Sequence, residues 1–333
     1  MNALVSILVP IYNVQDYIER CAKSLFEQTY SNIEYVFVND CSQDHSDSHL
    51  NSIIKEYSHL KNRIKIIYHE ANKGLAASRM TGINNASGDY LMFVDSDDYL
   101  EPNCVQLLIE KAEEGSYDIV SAGIRHVFTG KSFVVMPPQD IDRDKYLRLI
   151  LEGRVPHNTV SRVFKRGLFI DNKGLFVEGI NSGEDYLMIS RIFSITKNIA
   201  FVNSPLYNYI HTNPTSITSF FSKKNLEQQL MAEHIVRQFY EQKGQISFLE
   251  AQIRGCLKNK AQNIISLLLH DYNISDYEYV KKLYLTDEPH YLSSIPFQYR
   301  LVLRLSKILD DKLLSKVVKL GYTVKSLYNR KKS

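Results

Sequence analysis

Cysteine is scarce and long apolar runs are missing, and each absence excludes a class of protein. Only four of the 333 residues are cysteines, and no two have the C-x-x-C spacing of a redox or zinc site, which fits a reducing compartment. No stretch reaches the ~20 apolar residues that span a bilayer. The N-terminal apolar run is short and contains Pro10, which is not typical of a signal peptide. We therefore expect a cytoplasmic protein, on the inner face of any membrane that it serves.

Charge is nearly balanced over the whole chain, at a net +3, but it is unevenly placed. Residues 296–333 hold ten Lys or Arg and two Asp, whereas the preceding residues hold thirty basic and thirty-five acidic side chains. This end also has apolar residues at helical spacing, namely Phe297, Leu301, Leu305, Ile308, Leu309, Leu313 and Val317. Such a segment either lies on an anionic membrane or packs its apolar face on the rest of the protein. No recognition motif accompanies it, so we expect no nucleic-acid partner.

Short apolar segments alternate with helical ones over the first third of the chain. The pattern predicts strands at residues 4–11, 33–38, 63–68, 90–94 and 118–122, and helices at 14–27, 46–57, 75–86 and 104–113. This alternation indicates an α/β fold, with a Rossmann-like, mostly parallel central sheet and helices on both faces. Such sheets bind ligands beyond the carboxyl ends of their strands.

The pattern is weaker after residue 125. We expect a hairpin or irregular strand at 127–136, helices at 140–151 and 184–195, and strands at 199–202 and 207–210. Helices dominate from about residue 222. The turn-rich residues 213–216 therefore indicate a boundary, with an α/β domain at 1–220 and a helical C-terminal region at 221–333.

Polar residues follow four of the predicted strands. They are Asn13, Asn39-Asp40-Cys41-Ser42, Asn72-Lys73-Gly74 and Asp95-Ser96-Asp97-Asp98. A right-handed parallel sheet places all four groups along one edge. The backbone amides at 73–74 precede a predicted helix, where they either bind a phosphate or serve an ordinary turn.

Three carboxylates stand within four residues, at Asp95, Asp97 and Asp98. They repel one another unless a cation or hydrogen-bond donors neutralise them. Mg²⁺ and Mn²⁺ prefer carboxylate oxygens and keep substrate phosphates as further ligands, so this D-x-D segment can hold a metal that grips a diphosphate. The alternative is an Asp-rich turn in which Ser96 or Asp98 caps the helix after Pro102.

Five segments together resemble glycosyltransferase family 2, in the family's order. They are residues 5–13 (VSILVPIYN), 24–30 (SLFEQTY), 38–44 (VNDCSQD), 72–79 (NKGLAASR) and 88–98 (GDYLMFVDSDD), with weaker matches at 163–166, 183–185 and 216–218. The resemblance implies a GT-A fold over residues 1–220 and a Mn²⁺ or Mg²⁺ cofactor. It implies inverting transfer from a nucleotide-sugar donor, often a UDP-sugar, to a saccharide or lipid-linked saccharide acceptor. Bacterial surface polysaccharide or lipopolysaccharide is the destination that the family suggests.

The resemblance also implies roles for individual residues. Pro10 and Tyr12 would line the nucleotide site, Asp40 would contact the base, Arg79 would help to hold the nucleotide, and Asp95 and Ser96 would face the ribose or diphosphate. Asp97 would bind the metal, and Asp185 would be the catalytic base. His211 lies where such enzymes often place a further metal or phosphate ligand, and the alternative is a surface or structural histidine. The sequence departs from the family at Asn39, Cys41, Met80 and Tyr99, where Asp, Gly, Asn and Trp are more usual.

Glu184 and Asp185 open a predicted helix, whose positive dipole end favours anions. They either serve only that helix end or supply a catalytic base. A carboxylate of pKa ~4 is ionised at neutral pH and can accept a proton from an attacking hydroxyl. With the family resemblance we favour the base, and Asp185 over Glu184.

Two other functions fit parts of the pattern. A sugar nucleotidyltransferase has a similar sheet but a glycine-rich N-terminal loop, and residues 8–16 contain no glycine. The same absence excludes a G-x-G-x-x-G site, and no P-loop motif occurs. A non-catalytic scaffold that binds nucleotide-sugars would not need Asp97 and Asp185, which are both present.

Overall fold

The structure is a computed structural model that describes residues 2–213, 222–269, 289–310, 312–319 and 321. The weak family match at 216–218, most of the turn at 213–216 and the basic residues after 321 lie outside this part. The chain forms two compact units. One comprises Met1–Leu147 and His157–Ile235, and the other Arg148–Pro156 and Val236–Ser333.

The parallel part of the sheet is built from the first four strands, in the order β3-β2-β1-β4. They are β1 (Val5–Ile11), β2 (Ile33–Asn39), β3 (Ile64–Tyr68) and β4 (Tyr90–Phe93). Three helices connect them: α1 (Ile18–Phe26), α2 (Ser46–Glu56) and α3 (Leu75–Asn85). Strands β1, β2 and β4 are buried almost throughout, which is why they consist mostly of apolar residues. The predicted elements of this region are confirmed to within a few residues.

The other five strands within the described residues make the sheet mixed. They are β5 (Tyr99–Leu100), β6 (Ile119–Phe128), β7 (Lys131–Val135), β8 (Arg162–Lys165) and β9 (Ile199–Ile210). The sheet continues from β4 in the order β8-β6-β9-β5, and β7 pairs with β6. Only the β6–β9 pair is parallel here. The α/β fold is confirmed, and its antiparallel pairs all involve strands outside the regular first third.

Two strands differ from their predicted lengths. The strand predicted at 118–122 runs on to Phe128 and then forms a hairpin with β7. The two strands predicted at 199–202 and 207–210 are one strand, β9, whose register against β6 shifts around Gly123. Pro205 lies opposite Gly123 and has no N–H for the ladder, so the pairing is interrupted while the strand continues.

Helices complete both units. The first unit contains α4 (Cys104–Glu114), α6 (Gly167–Ile170), α7 (Glu184–Ile195) and most of α8 (Lys223–Gln242). Helix α5 (Arg143–Leu151) passes from the first unit into the second, which also contains α9 (Ile246–Leu269), α10 (Phe297–Ile308) and helical residues 312–319. Short 3₁₀ segments occur at Ser58–Arg63 and Pro289–Ser294. Among the helices that the structure describes, none is long and apolar enough to cross a bilayer.

Candidate active site

The polar residues after β1 and β2 meet at one edge of the sheet, as predicted. The Asn13 side chain accepts a hydrogen bond from the Gln43 backbone N–H at 2.8 Å, and the Asn13 N–H donates to the Ser42 hydroxyl at 3.2 Å. Asn13 and Cys41 both have positive φ, at 51° and 62°. A positive φ suits glycine best, which explains why glycine is more usual at the Cys41 position.

Asp40 is buried and organises the turn before α3. Its carboxylate accepts hydrogen bonds from the backbone N–H groups of Lys73 at 2.8 Å and Gly74 at 2.7 Å. It also lies 2.6 Å from Nδ1 of His69. The amides at 73–74 are therefore occupied by a carboxylate of the protein, and the ordinary-turn interpretation holds rather than the phosphate site. The predicted contact between Asp40 and a nucleotide base stays a prediction.

Helix α3 carries Arg79 into the interior beneath this edge. Small residues let the helix lie close to β1, since a Cβ atom at Gly82 would stand 3.4 Å from the Cβ of Leu8. Ala76 and Ala77 are buried on the same helix. Arg79 is only 1% exposed, so its guanidinium must find its partners within the protein.

Arg79 joins three carboxylates that come from two distant parts of the chain. Its Nη2 atom lies 3.1 Å from Oδ1 of Asp95, and its Nη1 atom lies 3.0 Å from Oε1 of Glu184. Nη1 also donates to Oδ1 of Asp185, which accepts a second hydrogen bond from the Thr159 hydroxyl at 2.7 Å. The D-x-D segment and the Glu184-Asp185 pair, both predicted from sequence, thus share one cation. The predicted contact of Arg79 with the nucleotide stays a prediction.

The three carboxylates are held in different protonation equilibria. Burial raises the pKa of Asp95 and of Glu184, and Arg79 offsets only part of that effect. Burial would raise the pKa of Asp185 too, but Arg79 and the hydrogen bonds from Thr159 outweigh it and lower the pKa. Asp185 is therefore the member of the group whose ionised form the site favours most.

Asp98 has a structural role. Its side chain is 1% exposed and accepts hydrogen bonds from the Tyr207 hydroxyl and the Ile210 N–H, both at 2.7 Å. The Tyr207 hydroxyl also accepts a hydrogen bond from the Asp95 N–H at 3.1 Å. Asp98 thereby fastens the acidic segment to β9, and it does not cap the helix after Pro102 as the alternative interpretation expected.

Replacing Tyr207 by Phe should lower the free energy of unfolding by about 1–3 kcal/mol, because the buried Asp98 carboxylate loses a donor. Tyr68→Phe is the matched control, since its hydroxyl also donates to a carboxylate, Asp47, at 2.7 Å but at the surface. Urea unfolding of both variants measures the difference. Equal losses in the free energy of unfolding would show that the buried hydrogen bond contributes no more to stability than the surface one.

Asp97 differs from Asp98 because it is only partly buried. Its Oδ2 atom accepts a hydrogen bond from the Asn213 side chain at 2.8 Å, and its main-chain oxygen accepts one from Arg20 at 3.1 Å. Burial raises the pKa of Asp97. The carboxylates of this region outnumber the cations beside them and have raised pKa values, an arrangement that a divalent cation would relieve.

His211 lies at the end of β9, two residues before Asn213. Its Nε2 atom is 2.9 Å from Nδ1 of His126, and its ring stacks on Phe128 with centroids 4.1 Å apart. Burial lowers the pKa of both histidines. Within the described residues, no three His, Cys, Asp or Glu side chains are grouped so as to hold a metal. The predicted metal contact of His211 stays a prediction.

The remaining predicted residues lie at the same carboxyl ends. Pro10 is in β1, and Tyr12, which directly follows that strand, has a side chain 47% exposed. Ser96 is buried beside Asp95 and Asp97 in the acidic segment. Tyr12 therefore presents an accessible aromatic ring at the edge of the sheet where ligands of such folds bind. Their contacts with a nucleotide stay predictions.

Two side chains that orient the carboxylates could not be foreseen. Thr159 is fully buried and holds Asp185 through its hydroxyl and its N–H, and Asn213 holds Asp97. Thr159 stands in an irregular segment with no recognisable motif, and Asn213 could be identified only as a turn residue. Their contacts link positions far apart in the chain, so no local pattern signals them.

The sheet, the acidic segment and the carboxylate pair define a glycosyltransferase of the GT-A-like type. The family model described as "Glycosyl transferase family 2" matches residues 6–170. The chain is 34% identical to the uncharacterized glycosyltransferase EpsJ of Bacillus subtilis over 241 residues, which cover 70% of this chain and 68% of EpsJ. The chain belongs to glycosyl transferase family 2.

Similarities to other proteins support the same family and fold. EpsH of B. subtilis is 34% identical over 68% of this chain and 66% of its own length, just under two thirds. Glycosyltransferase GlyA of Streptococcus pneumoniae is 33% identical over 62% of this chain and 30% of its own length. The crystal structure of S. aureus TarS 1-349 in complex with UDP-GlcNAc covers 97% of this chain and 92% of that chain, with a TM-score of 0.68 at 17% identity. At that identity the likeness establishes the fold alone.

Proposed function

We propose that the chain transfers a sugar from a UDP-sugar to an acceptor hydroxyl with inversion at the anomeric carbon. One observation carries this proposal: Arg79 joins Asp95 of the acidic segment to Asp185 of the Glu184-Asp185 pair. The segment predicted to face the donor diphosphate and the predicted base therefore share one cation, which supports the proposal that they act in one site. The shared fold with TarS, whose structure holds UDP-GlcNAc, supports a UDP-sugar donor.

Asp185 would act as the base. Its lowered pKa keeps it ionised, and Thr159 and Arg79 orient its carboxylate. In the proposed step the acceptor hydroxyl gives its proton to Asp185 while its oxygen bonds to the anomeric carbon. The bond from that carbon to the diphosphate oxygen breaks, and the electron pair leaves with the nucleoside diphosphate. Attack on the face opposite the leaving group inverts the anomeric configuration.

A divalent cation fits the acidic segment, with Asp97 as its protein ligand and His211 as the second predicted one. Mg²⁺ and Mn²⁺ are commonly held by one or two carboxylates together with substrate phosphates, so a complete protein cage is not required. When bound, such an ion supplies positive charge to the departing diphosphate. Asp95 and Ser96 would then face the ribose or diphosphate, and Tyr12 the nucleotide.

Asp97→Ala should weaken UDP binding in the presence of Mn²⁺ by at least about tenfold, because the ion loses its carboxylate ligand. Isothermal titration calorimetry with Mn²⁺ and with a chelator measures the effect. Asp144→Ala, at an exposed position in α5, is the control and should bind as the wild type does. If the chelator does not change UDP binding by the wild type, the proposed role of the metal is wrong.

A panel of nucleotide-sugars with Mn²⁺ tests the reaction itself. We expect a saccharide or lipid-linked saccharide acceptor to stimulate release of nucleoside diphosphate, with a product of inverted configuration by NMR. A bacterial surface polysaccharide or lipopolysaccharide is the proposed destination. Pyrophosphate release from a nucleoside triphosphate and a sugar phosphate would instead indicate a nucleotidyltransferase. UDP binding without turnover of any donor would indicate a scaffold.

A further inference from the structure

Two helical segments of the second unit each expose apolar side chains together with basic ones. On α10 the apolar members are Phe297, Leu301 and Ile308, and on helical residues 312–319 they are Leu313 and Val317. Phe297 is 67% and Ile308 is 79% exposed. Arg304, Lys312 and Lys316 are exposed among them. These eight residues are called the basic apolar face.

The opposite side of the same helices is the one that packs. Val302, Leu303 and Ser306 of α10 are buried, and α10 contacts α9. The Tyr299 hydroxyl on α10 accepts a hydrogen bond from the Gln262 side chain on α9 at 3.3 Å. The side chains that pack on the protein are therefore mostly not those of the apolar stripe predicted from the sequence. The stripe residues Phe297, Leu301, Ile308, Leu313 and Val317 are left exposed to the surroundings.

The charge of this face has one sign. Residues 297–308 contain no Asp or Glu. Two acidic residues, Asp310 and Asp311, lie between the two helical segments. The Asp310 carboxylate accepts a hydrogen bond from the Leu313 N–H at 2.8 Å, and the three basic residues of the face outnumber these two. A second copy of this face would bring like charges together, which disfavours self-association. An anionic lipid surface offers both negative headgroups and an apolar layer beneath them.

We propose that the basic apolar face binds the surface of an anionic membrane, with the helices lying in the plane of the bilayer. Phe297, Leu301 and Ile308 enter the boundary between headgroups and acyl chains, as do Leu313 and Val317. Arg304, Lys312 and Lys316 contact the headgroups. The protein would then act next to the membrane. This binding does not require sugar transfer, so either proposal can fail while the other stands.

Flotation of the full-length protein with vesicles tests the proposal. Vesicles of two parts phosphatidylcholine and one part phosphatidylglycerol should carry the protein to the top of the gradient, and added salt should release it. Pure phosphatidylcholine vesicles should bind weakly. The triple variant Arg304→Gln, Lys312→Gln and Lys316→Gln should lose affinity on the order of 100-fold, since each basic residue near the surface contributes severalfold. Phe297→Ser with Ile308→Ser should also reduce flotation.

Matched variants test whether the location matters. Lys61→Gln, Lys131→Gln and Lys197→Gln remove three exposed charges from the first unit, and Met231→Ser removes an exposed apolar side chain there. All should float as the wild type does. The proposal is overturned if the anionic vesicles do not carry the wild type, or if the control variants lose binding as strongly. It is equally overturned if light scattering shows a dimer that Phe297→Ser with Ile308→Ser dissociates and no vesicle binding occurs.

Discussion

The Asp185→Asn variant is expected to lose transfer by about 10²–10⁴-fold while it still binds UDP. Asparagine retains an oxygen that can accept the hydrogen bond from Thr159, which lies 2.7 Å from Asp185 Oδ1 in the wild type. It carries no charge, however, and cannot take the acceptor proton at neutral pH. Initial rates of nucleoside diphosphate release, with a saccharide acceptor present, measure the loss. Calorimetric titration with UDP measures the retained binding.

Glu184→Gln is the matched control for that experiment. Glu184 precedes Asp185 and shares Nη1 of Arg79, so the substitution also removes a carboxylate beside that guanidinium. Burial raises the pKa of Glu184, so the side chain already holds its proton more readily than Asp185 does, and we expect most activity to remain. Equal loss in both variants would attribute the effect to the charge around Arg79. Full transfer by Asp185→Asn would place the base elsewhere.

Arg79→Met should give the largest loss of stability, about 3–5 kcal/mol at neutral pH, because it leaves three carboxylates without their shared cation. Arg20→Met is the control. Arg20 is exposed, lies over the Tyr99 ring and donates to a main-chain oxygen, so its loss should cost less than ~1 kcal/mol. Urea unfolding followed by circular dichroism measures both, since the chain has no tryptophan to report by fluorescence.

The pH dependence of the stability loss in Arg79→Met shows whether lost charge interactions or lost packing cause it. In the wild type, burial above all raises the pKa of Asp95 to about 6 and of Glu184 to about 8, although Arg79 opposes it. The folded protein therefore holds more protons than the unfolded chain above pH ~4, and these two groups lower stability as pH rises from there toward 8. Without Arg79 their pKa values rise further, so the loss should be larger at pH 8 than at pH 5. A loss independent of pH would mean that packing, rather than charge, is responsible.

The first four strands and the helices between them were predictable because each is specified locally. A short, mostly apolar run such as β1, in alternation with helical segments, favours a buried strand of a parallel sheet. The small residues of α3 allow that helix to lie close to the sheet. The meeting of Asn13 with the turn after β2 follows from the parallel order of these strands. The full length of β6 and the continuity of β9 were not predicted, because pairing with segments distant in the chain decides where these strands end.

The sequence motifs named candidate site residues, but they did not indicate which of these residues contact one another. The motifs predicted roles for Asp95, Asp97, Asp185 and Arg79, and these roles stay predictions. The contacts of the Arg79 guanidinium with Asp95, Glu184 and Asp185 were not predicted. Asp185 lies 106 residues after Arg79 in the chain, and Thr159 lies 26 residues before Asp185. No periodicity or spacing reports a pairing over such separations, because it depends on how whole elements pack.

By itself, the sequence determined the order of the elements, the family and the carboxylates available for chemistry, because local apolar patterns and short motifs carry that information. Only the tertiary structure decided that Arg79 serves Asp95, Glu184 and Asp185 together, that Asp98 holds β9, and that the apolar stripe beginning at Phe297 faces outward. The physical reason is the same in each case. Burial and the choice of hydrogen-bond partners arise from the packing of segments that are remote in the chain, and a residue's neighbours in sequence do not specify them.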